Sequence, residues 1–204
     1  MKHALLAVFL IILCAAMVSG CYSSAEYLKN ATPGSSFYNF NGVRYWKDSV
    51  TMYASGANST WNMTVFVRND TLDGKPVRYM QVITQGNGMD ITYDIWSNLT
   101  TLEVLKMHAK GSIGDYFQDE DTSKLQIYTL PDIGLSYYFV PFWPIKNIMG
   151  RAADGSIIPI TVYSASDNKG FSVTYWVSPR VPVPIRVEMA DKNFKITEML
   201  LEYG

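Results

Sequence analysis

The stretch Met89-Asp90-Ile91-Thr92-Tyr93-Asp94-Ile95 alternates strictly: Met89, Ile91, Tyr93 and Ile95 are apolar, and Asp90, Thr92 and Asp94 between them are polar. Successive side chains of a strand point to opposite faces, so a period of two means one face against a core and the other in water. The rhythm continues in both directions. Upstream, Trp61, Met63, Val65 and Val67 alternate with Asn62, Thr64 and Arg68. Downstream, Phe171, Val173, Tyr175 and Val177 alternate with Ser172 and Thr174, and Val183, Ile185, Val187 and Met189 alternate with Pro184, Arg186 and Glu188. Between the runs stand turn formers: Gly56-Ala57-Asn58, residues 69–74, Gly86-Asn87-Gly88, residues 167–170 and Asp191-Lys192-Asn193. Short turns of this chemistry join antiparallel neighbours. The pattern predicts about ten strands, at 43–54, 58–68, 76–85, 89–96, 102–110, 124–130, 157–164, 171–178, 183–190 and 194–203. The fold class expected is mainly β: one strongly curved antiparallel sheet, largely a meander, without crossover helices.

Two segments depart from the rhythm. Residues 102–110 follow Thr100 and Glu103, spaced as a helix capping box, and precede Gly111, a helix stop. Leu102, Val104, Leu105 and Met107 form no helical stripe, however, and strand is preferred over helix. Residues 130–155 hold Tyr137, Tyr138, Phe139, Phe142 and Trp143 within seven residues, spaced by Pro141 and Pro144. Proline excludes an interior strand. The expectation is a capping segment, with 145–149 as a short helix or a plug on the open side of the sheet. Aromatics this dense form either a buried lid or an exposed contact surface, and burial is preferred.

The first twenty residues are unlike the rest. Met1-Lys2-His3 is a short basic start, and the apolar run from Ala4 to Val18 ends in Ser19-Gly20-Cys21. Fifteen apolar residues are few for a membrane span, which needs about 20. Val18-Ser19-Gly20-Cys21 resembles the lipobox of prokaryotic lipoproteins, in which the cysteine becomes the acylated N-terminus. One acyl chain holds a protein only marginally, so stable attachment calls for more than one on Cys21. The domains expected are therefore a signal peptide at 1–20, a small and polar tether at 21–36, and a β domain at 37–204.

Composition narrows the function. The 204-residue chain has 17 Lys and Arg against 18 Asp and Glu, and Lys2 alone of these falls in the leader. With no basic excess, general nucleic-acid binding lacks its electrostatic footprint. The histidines are His3 and His108, and the cysteines are Cys14 and Cys21. Beyond the leader, one of each remains, too few for ordinary zinc sites or Cys/His dyads. His108 reads as a surface residue of a strand. The acidic run Asp115, Asp119, Glu120 and Asp121 lacks calcium-loop spacing and reads as a solvated loop. No nucleophile elbow, phosphate loop or dinucleotide fingerprint is present, and neither a catalytic residue nor a cofactor is expected.

Asn-x-Ser/Thr sequons occur at Asn30, Asn58, Asn62, Asn69 and Asn98, more than the Ser and Thr content would place there by chance. They point to a glycosylated, outward-facing surface, although Asn and Thr are also common turn and strand residues. Lipobox and sequons together point to an archaeal cell-surface lipoprotein on the extracytoplasmic face of the membrane.

The lipobox, the long amphipathic strands and the closing segments Trp176-Val177-Ser178-Pro179, Val183-Pro184-Ile185-Arg186-Val187-Glu188 and Leu200-Leu201-Glu202-Tyr203 resemble the lipoprotein carriers and receptors of the LolA/LolB type. The resemblance implies an open antiparallel half-barrel whose concave face holds acyl chains or another apolar ligand. The helices that line the mouth of those carriers have no clear counterpart here. The expected function is a membrane-anchored, non-enzymatic binder of a lipid-like ligand. Tyr138, Phe139, Phe142 and Trp143 would line or close the cavity, with Trp96 and Trp176 as further walls. The alternative is a structural or protein-interaction module of the cell envelope, with an envelope protein as partner. Intact mass of the membrane-extracted protein should show loss of residues 1–20 and a gain of acyl chains, and Cys21→Ala should abolish both. An unmodified full-length parent would remove the lipoprotein reading.

Overall fold

The computed structural model describes residues 32–100, 104–113, 116–122, 141–167 and 170–204. Its strands are β1 (Thr32–Pro33), β2 (Tyr45–Ala54), β3 (Ala57–Leu72), β4 (Lys75–Gly86), β5 (Met89–Ser97), β6 (Val104–Ile113), β7 (Tyr116–Thr122), β8 (Pro141–Arg151), β9 (Ile157–Ser166), β10 (Ser172–Val177), β11 (Arg186–Ala190) and β12 (Phe194–Tyr203). A single 3-10 turn, Gly34–Phe37, follows β1. All twelve strands belong to one sheet in the order β1-β8-β9-β10-β11-β12-β2-β3-β4-β5-β6-β7. Every pairing is antiparallel. Two meanders, β2 to β7 and β8 to β12, are thus joined side by side where β12 pairs with β2, from Phe194↔Ala54 to Tyr203↔Trp46. The sheet is open, ending in β1 and β7.

Turn chemistry fixes the register of the first meander. Ser55-Gly56, Asp73-Gly74 and Asn87-Gly88 each have both residues at positive φ, from 50° to 79°. These are two-residue hairpins of type I′, whose twist matches that of the flanking strands. The expected alternation then places Met63, Val65 and Val67 of β3, Met80 and Val82 of β4, and Ile91, Tyr93 and Ile95 of β5 on one buried face. A fully buried aliphatic side chain of this kind contributes about 1.5–3 kcal/mol.

The sheet curls around this face. Phe37 packs on Phe142 of β8, with ring centroids 5.6 Å apart, and Phe40 lies under the Arg78 guanidinium of β4 at 4.7 Å. Eight consecutive strands at about 4.8 Å spacing would put β8 and β4 about 34 Å apart in a flat sheet. Three residues of chain span at most about 11 Å, so two side chains could not bridge that gap. Residues 37–40 reach both because the strands bend around them.

Two expectations from the sequence are overturned. Residues 145–149 are neither a helix nor a plug. They belong to β8, where a bulge between Pro144 and Lys146 accommodates Ile145. The prolines are tolerated because β8 lies next to the sheet edge: β1 pairs with it only at Thr32↔Phe142 and Pro33↔Pro141. Asp119, Glu120 and Asp121 lie on β7, not in a loop, because that segment completes a hairpin with β6. Among the described residues, the segment lying across the inner face is 37–40, with Phe37 and Tyr38 buried; Tyr137, Tyr138 and Phe139 of the expected cap lie outside the described residues. Residues 104–113 are strand, and the strand expected at 124–130 lies outside the described residues.

Gly111 of β6 sits at φ 141°, and a Cβ there would fall 2.0 Å from the Asp90 carbonyl oxygen and 2.7 Å from the Ile91 Cα. The glycine lets β6 approach β5 this closely. Gly111→Ala should cost about 1–3 kcal/mol. Gly74→Ala, in open space at φ 73°, should cost less. Thermal melts of the two variants check the ordering, which equal melting temperatures would refute.

Candidate functional site

The inner face is the site to which the fold commits most of its residues. Over β2 to β6 it is built from alternate positions of five strands. Cross-strand pairs such as Val65↔Val82, Val82↔Tyr93 and Tyr93↔Ala109 make it continuous. At its other end Phe37 sits among Tyr163 (4.8 Å), Tyr175 (4.9 Å) and Phe142 (5.6 Å), which close that half as packed core. Tyr38 and Phe40 stack at 5.7 Å and lie 6.2 and 6.4 Å from Trp46.

Three charged side chains share this apolar face. Asp48, 2% exposed, pairs in register with Leu200 and Met63. Glu198, 4% exposed, pairs with Val187 and Val50, which places it one diagonal step from Asp48. Arg78, 7% exposed, lies between them and β5, with its backbone carbonyl accepting a 3.4 Å hydrogen bond from Ser97 Oγ. Charges are costly to bury, and the register sets the carboxylates and Arg78 on opposite sides of the apolar band, at the levels of Met63 and Asn69 of β3. None of the three is among the site residues expected from the sequence. The signal was there: Asp48 falls between Trp46 and Val50, and Glu198 between Ile196 and Leu200, at the apolar positions of the two-residue period.

The aromatic residues expected as cavity walls scatter. Phe142 is fully buried beneath Phe37. Trp143 is half-buried and pairs with Ser164. Trp96 and Trp176 stand on the outer face, opposite to Ile95 and Tyr175, and carry Lys106 at 5.4 Å and Arg186 at 4.9 Å over their rings. They therefore do not wall an inner-face ligand. Tyr138, Phe139, Cys21 and Asn30 lie outside the described residues. Asn58, Asn62, Asn69 and Asn98 are all exposed.

The outer face is a polar lattice. One row crosses four strands, Arg68↔Tyr79, Tyr79↔Trp96 and Trp96↔Lys106, with the Arg68 guanidinium 4.3 Å over the Tyr79 ring. Beside it, Arg44, Phe66, Val67, Arg68, Tyr79 and Gln81 line a shallow cleft of about 320 Å³. The Tyr79 hydroxyl donates to Asp94, which also accepts from Gln81 Nε2 at 2.9 Å. On the other half, burial disfavours a charged Glu188, but hydrogen bonds from Lys195 and Arg186 outweigh it and hold its carboxyl below the usual value. His108 lies on this face, opposite Asp94 in the ladder. Among the described residues, no three His, Cys, Asp or Glu side chains come together to hold a metal ion.

No family model matches the chain, and no curated protein does. Among solved structures, it is similar to a DUF1329 family protein from Desulfovibrio piger at 9% identity, with 79% of this chain and 85% of that one covered and a TM-score of 0.41. A MucA/MucB complex from Pseudomonas aeruginosa gives 9% identity, a TM-score of 0.43 and coverage of 79% of this chain but 52% of that one. This chain spans about half the length of that structure. An outer membrane lipoprotein-sorting protein domain from Vibrio parahaemolyticus gives 10% identity, coverage of 78% and 83%, and a TM-score of 0.25.

Burial first, and then the hydrogen bond and negative charge of Asp94, push the Tyr79 phenol up to about 12. Its contribution to stability is complete below the unfolded value near 10 and is lost as pH rises from there through about 12. Asp94→Asn should lower this value, leaving it above the ordinary one because burial remains. Ultraviolet titration against a Tyr79→Phe reference measures it, and an unchanged titration would exclude Asp94 as a cause.

Proposed function

We propose that this chain is a membrane-anchored, extracytoplasmic protein that binds an apolar or amphiphilic, lipid-like ligand on the inner face of its half-barrel. The observation that carries the reading is the chemistry of that face: an apolar band including Met63, Val82, Tyr93, Ile95 and Met107, with the carboxylates Asp48 and Glu198 at one end and Arg78 at the other. A surface with an apolar band and charged ends matches an amphiphile with a tail and a headgroup. The methionines Met63, Met80 and Met107 add flexible, polarizable surface that adapts to guests of irregular shape. Affinity comes from apolar area removed from water, at about 25 cal/mol per Å² before the costs of association. Anchoring rests on Cys21 behind its apolar run. The exposure of Asn58, Asn62, Asn69 and Asn98 supports a glycosylated outer surface.

The test is extraction. Full-length protein purified from its own membrane is extracted with organic solvent, and the extract is analysed by mass spectrometry. A stoichiometric amphiphile is the expected result. Met107→Trp, which fills the band, should weaken uptake of a fluorescent fatty acid at least tenfold while costing no more than about 1–3 kcal/mol of overpacking in a thermal melt. A parent that yields no amphiphile and takes up none would overturn the reading in favour of a protein-interaction module of the envelope.

A further inference from the structure

The β8–β9 hairpin runs past the rest of its sheet. β10 pairs with β9 only over Thr161–Ser166, so residues 157–160 and their β8 partners 148–151 form a two-stranded ribbon beyond it. One side of the ribbon holds Ile158 and Ile160, both buried. The other presents Met149 and Ile157, 65% and 53% exposed, and Ile145 in the bulge is 59% exposed. Water-facing isoleucine and methionine at this density call for a partner.

Strand addition is a poor fit to this edge. Pro141 and Pro144, the bulge at Ile145 and the charge of Lys146 all interrupt the ladder an added strand would need. Chain direction points elsewhere. β1 is antiparallel to β8, with Thr32 opposite Phe142 and Pro33 opposite Pro141, so β1 begins at its end nearer the β8–β9 hairpin. Ten residues separate Cys21 from Thr32, spanning at most about 35 Å. Phe142 to Arg151 extends about 30 Å along β8. The chain from Thr32 back to an anchor at Cys21 is therefore long enough to bring the ribbon's tip to the same membrane surface.

Resting on the anchored reading above, we infer that the β8–β9 hairpin is a second membrane contact, which inserts Ile145, Met149 and Ile157 at the lipid surface beside the acylated N-terminus. Lys146 and Arg151 outnumber the single anion of the turn, Asp154, whose carboxylate is occupied by the backbone N–H and hydroxyl of Ser156. The balance suits anionic headgroups. A short anchor and an interfacial hairpin together would fix the orientation of the domain, which neither does alone.

The test places a polarity-sensitive fluorophore on Met149→Cys or Asn87→Cys in a Cys14→Ala background. Asn87 lies in the turn at the opposite end of the strands. The full-length, acylated protein is reconstituted into phosphatidylcholine/phosphatidylglycerol vesicles, some carrying a spin label near the headgroup. Expected are co-flotation of both proteins, a blue shift and quenching at 149, and a water-like signal at 87. Ile157→Asp should return the 149 probe to a water-like signal with flotation intact. Flotation with an unquenched 149 probe overturns this inference and leaves the anchor standing. A blue shift without lipid quenching that grows with protein concentration overturns it in favour of a second copy of the chain. Failure to float overturns the anchor and the inference with it.

Discussion

The ladder between β12 and β2 is the interaction on which the rest depends. Without it the chain would hold two separate meanders, each with an apolar face too narrow to bury itself. Its pairs join residues about 150 positions apart, from Phe194↔Ala54 to Tyr203↔Trp46. The seam is reinforced at its end, where the Gly204 carbonyl accepts from the backbone N–H groups of Arg44 and Tyr45 at 2.6 and 3.0 Å. On the outer face Glu202 accepts from the Tyr45 hydroxyl and from Lys47 Nζ. A pairing this remote in sequence must meet its loop-closure cost before it contributes, so the seam is expected to be the late step of folding.

Local features of the fold were legible in the sequence. Alternation located β3, β4 and β5 to within a few residues, and the Gly-containing turns between them had their chemistry in plain sight. What could not be read was set by distance along the chain. Nothing near Phe194 announces that its strand will lie beside Tyr45–Ala54. Pro141 and Pro144 argued against a strand because the rule concerns interior strands, and the edge position that exempts β8 is a property of the whole sheet. Face assignment was harder still. Trp96 and Trp176 are large and apolar enough to suggest a cavity wall, yet each falls at the polar phase of its own strand, under a cation. Asp48, Glu198 and Arg78 show the converse, with charges at the apolar phase.

The two faces use aromatic and charged residues in opposite ways. Outside, rings support cations: Arg68 on Tyr79, Lys106 on Trp96 and Arg186 on Trp176. Such contacts at exposed sites are worth about 0.5–1 kcal/mol each, and they also cover ring faces that would otherwise be wetted. Inside, apart from the Arg78 guanidinium over Phe40, rings pack on rings, and Phe37 joins Phe142, Tyr163 and Tyr175 into one cluster. The same composition thus makes a polar lattice on one side and a dry core on the other, separated by a single layer of backbone.

The position of β1 has a mechanical consequence. Among the described residues, a pull on the N-terminal side of Thr32 is borne first by two ladder pairs at the edge of the sheet, then by the 3-10 turn, and then by Phe37. Load would therefore reach the aromatic cluster of the inner face long before it reached the long strands β2 to β5, whose ladders run to eleven residue pairs between β3 and β4. The domain has a soft link in series with a stiff body, and the soft link ends inside the core.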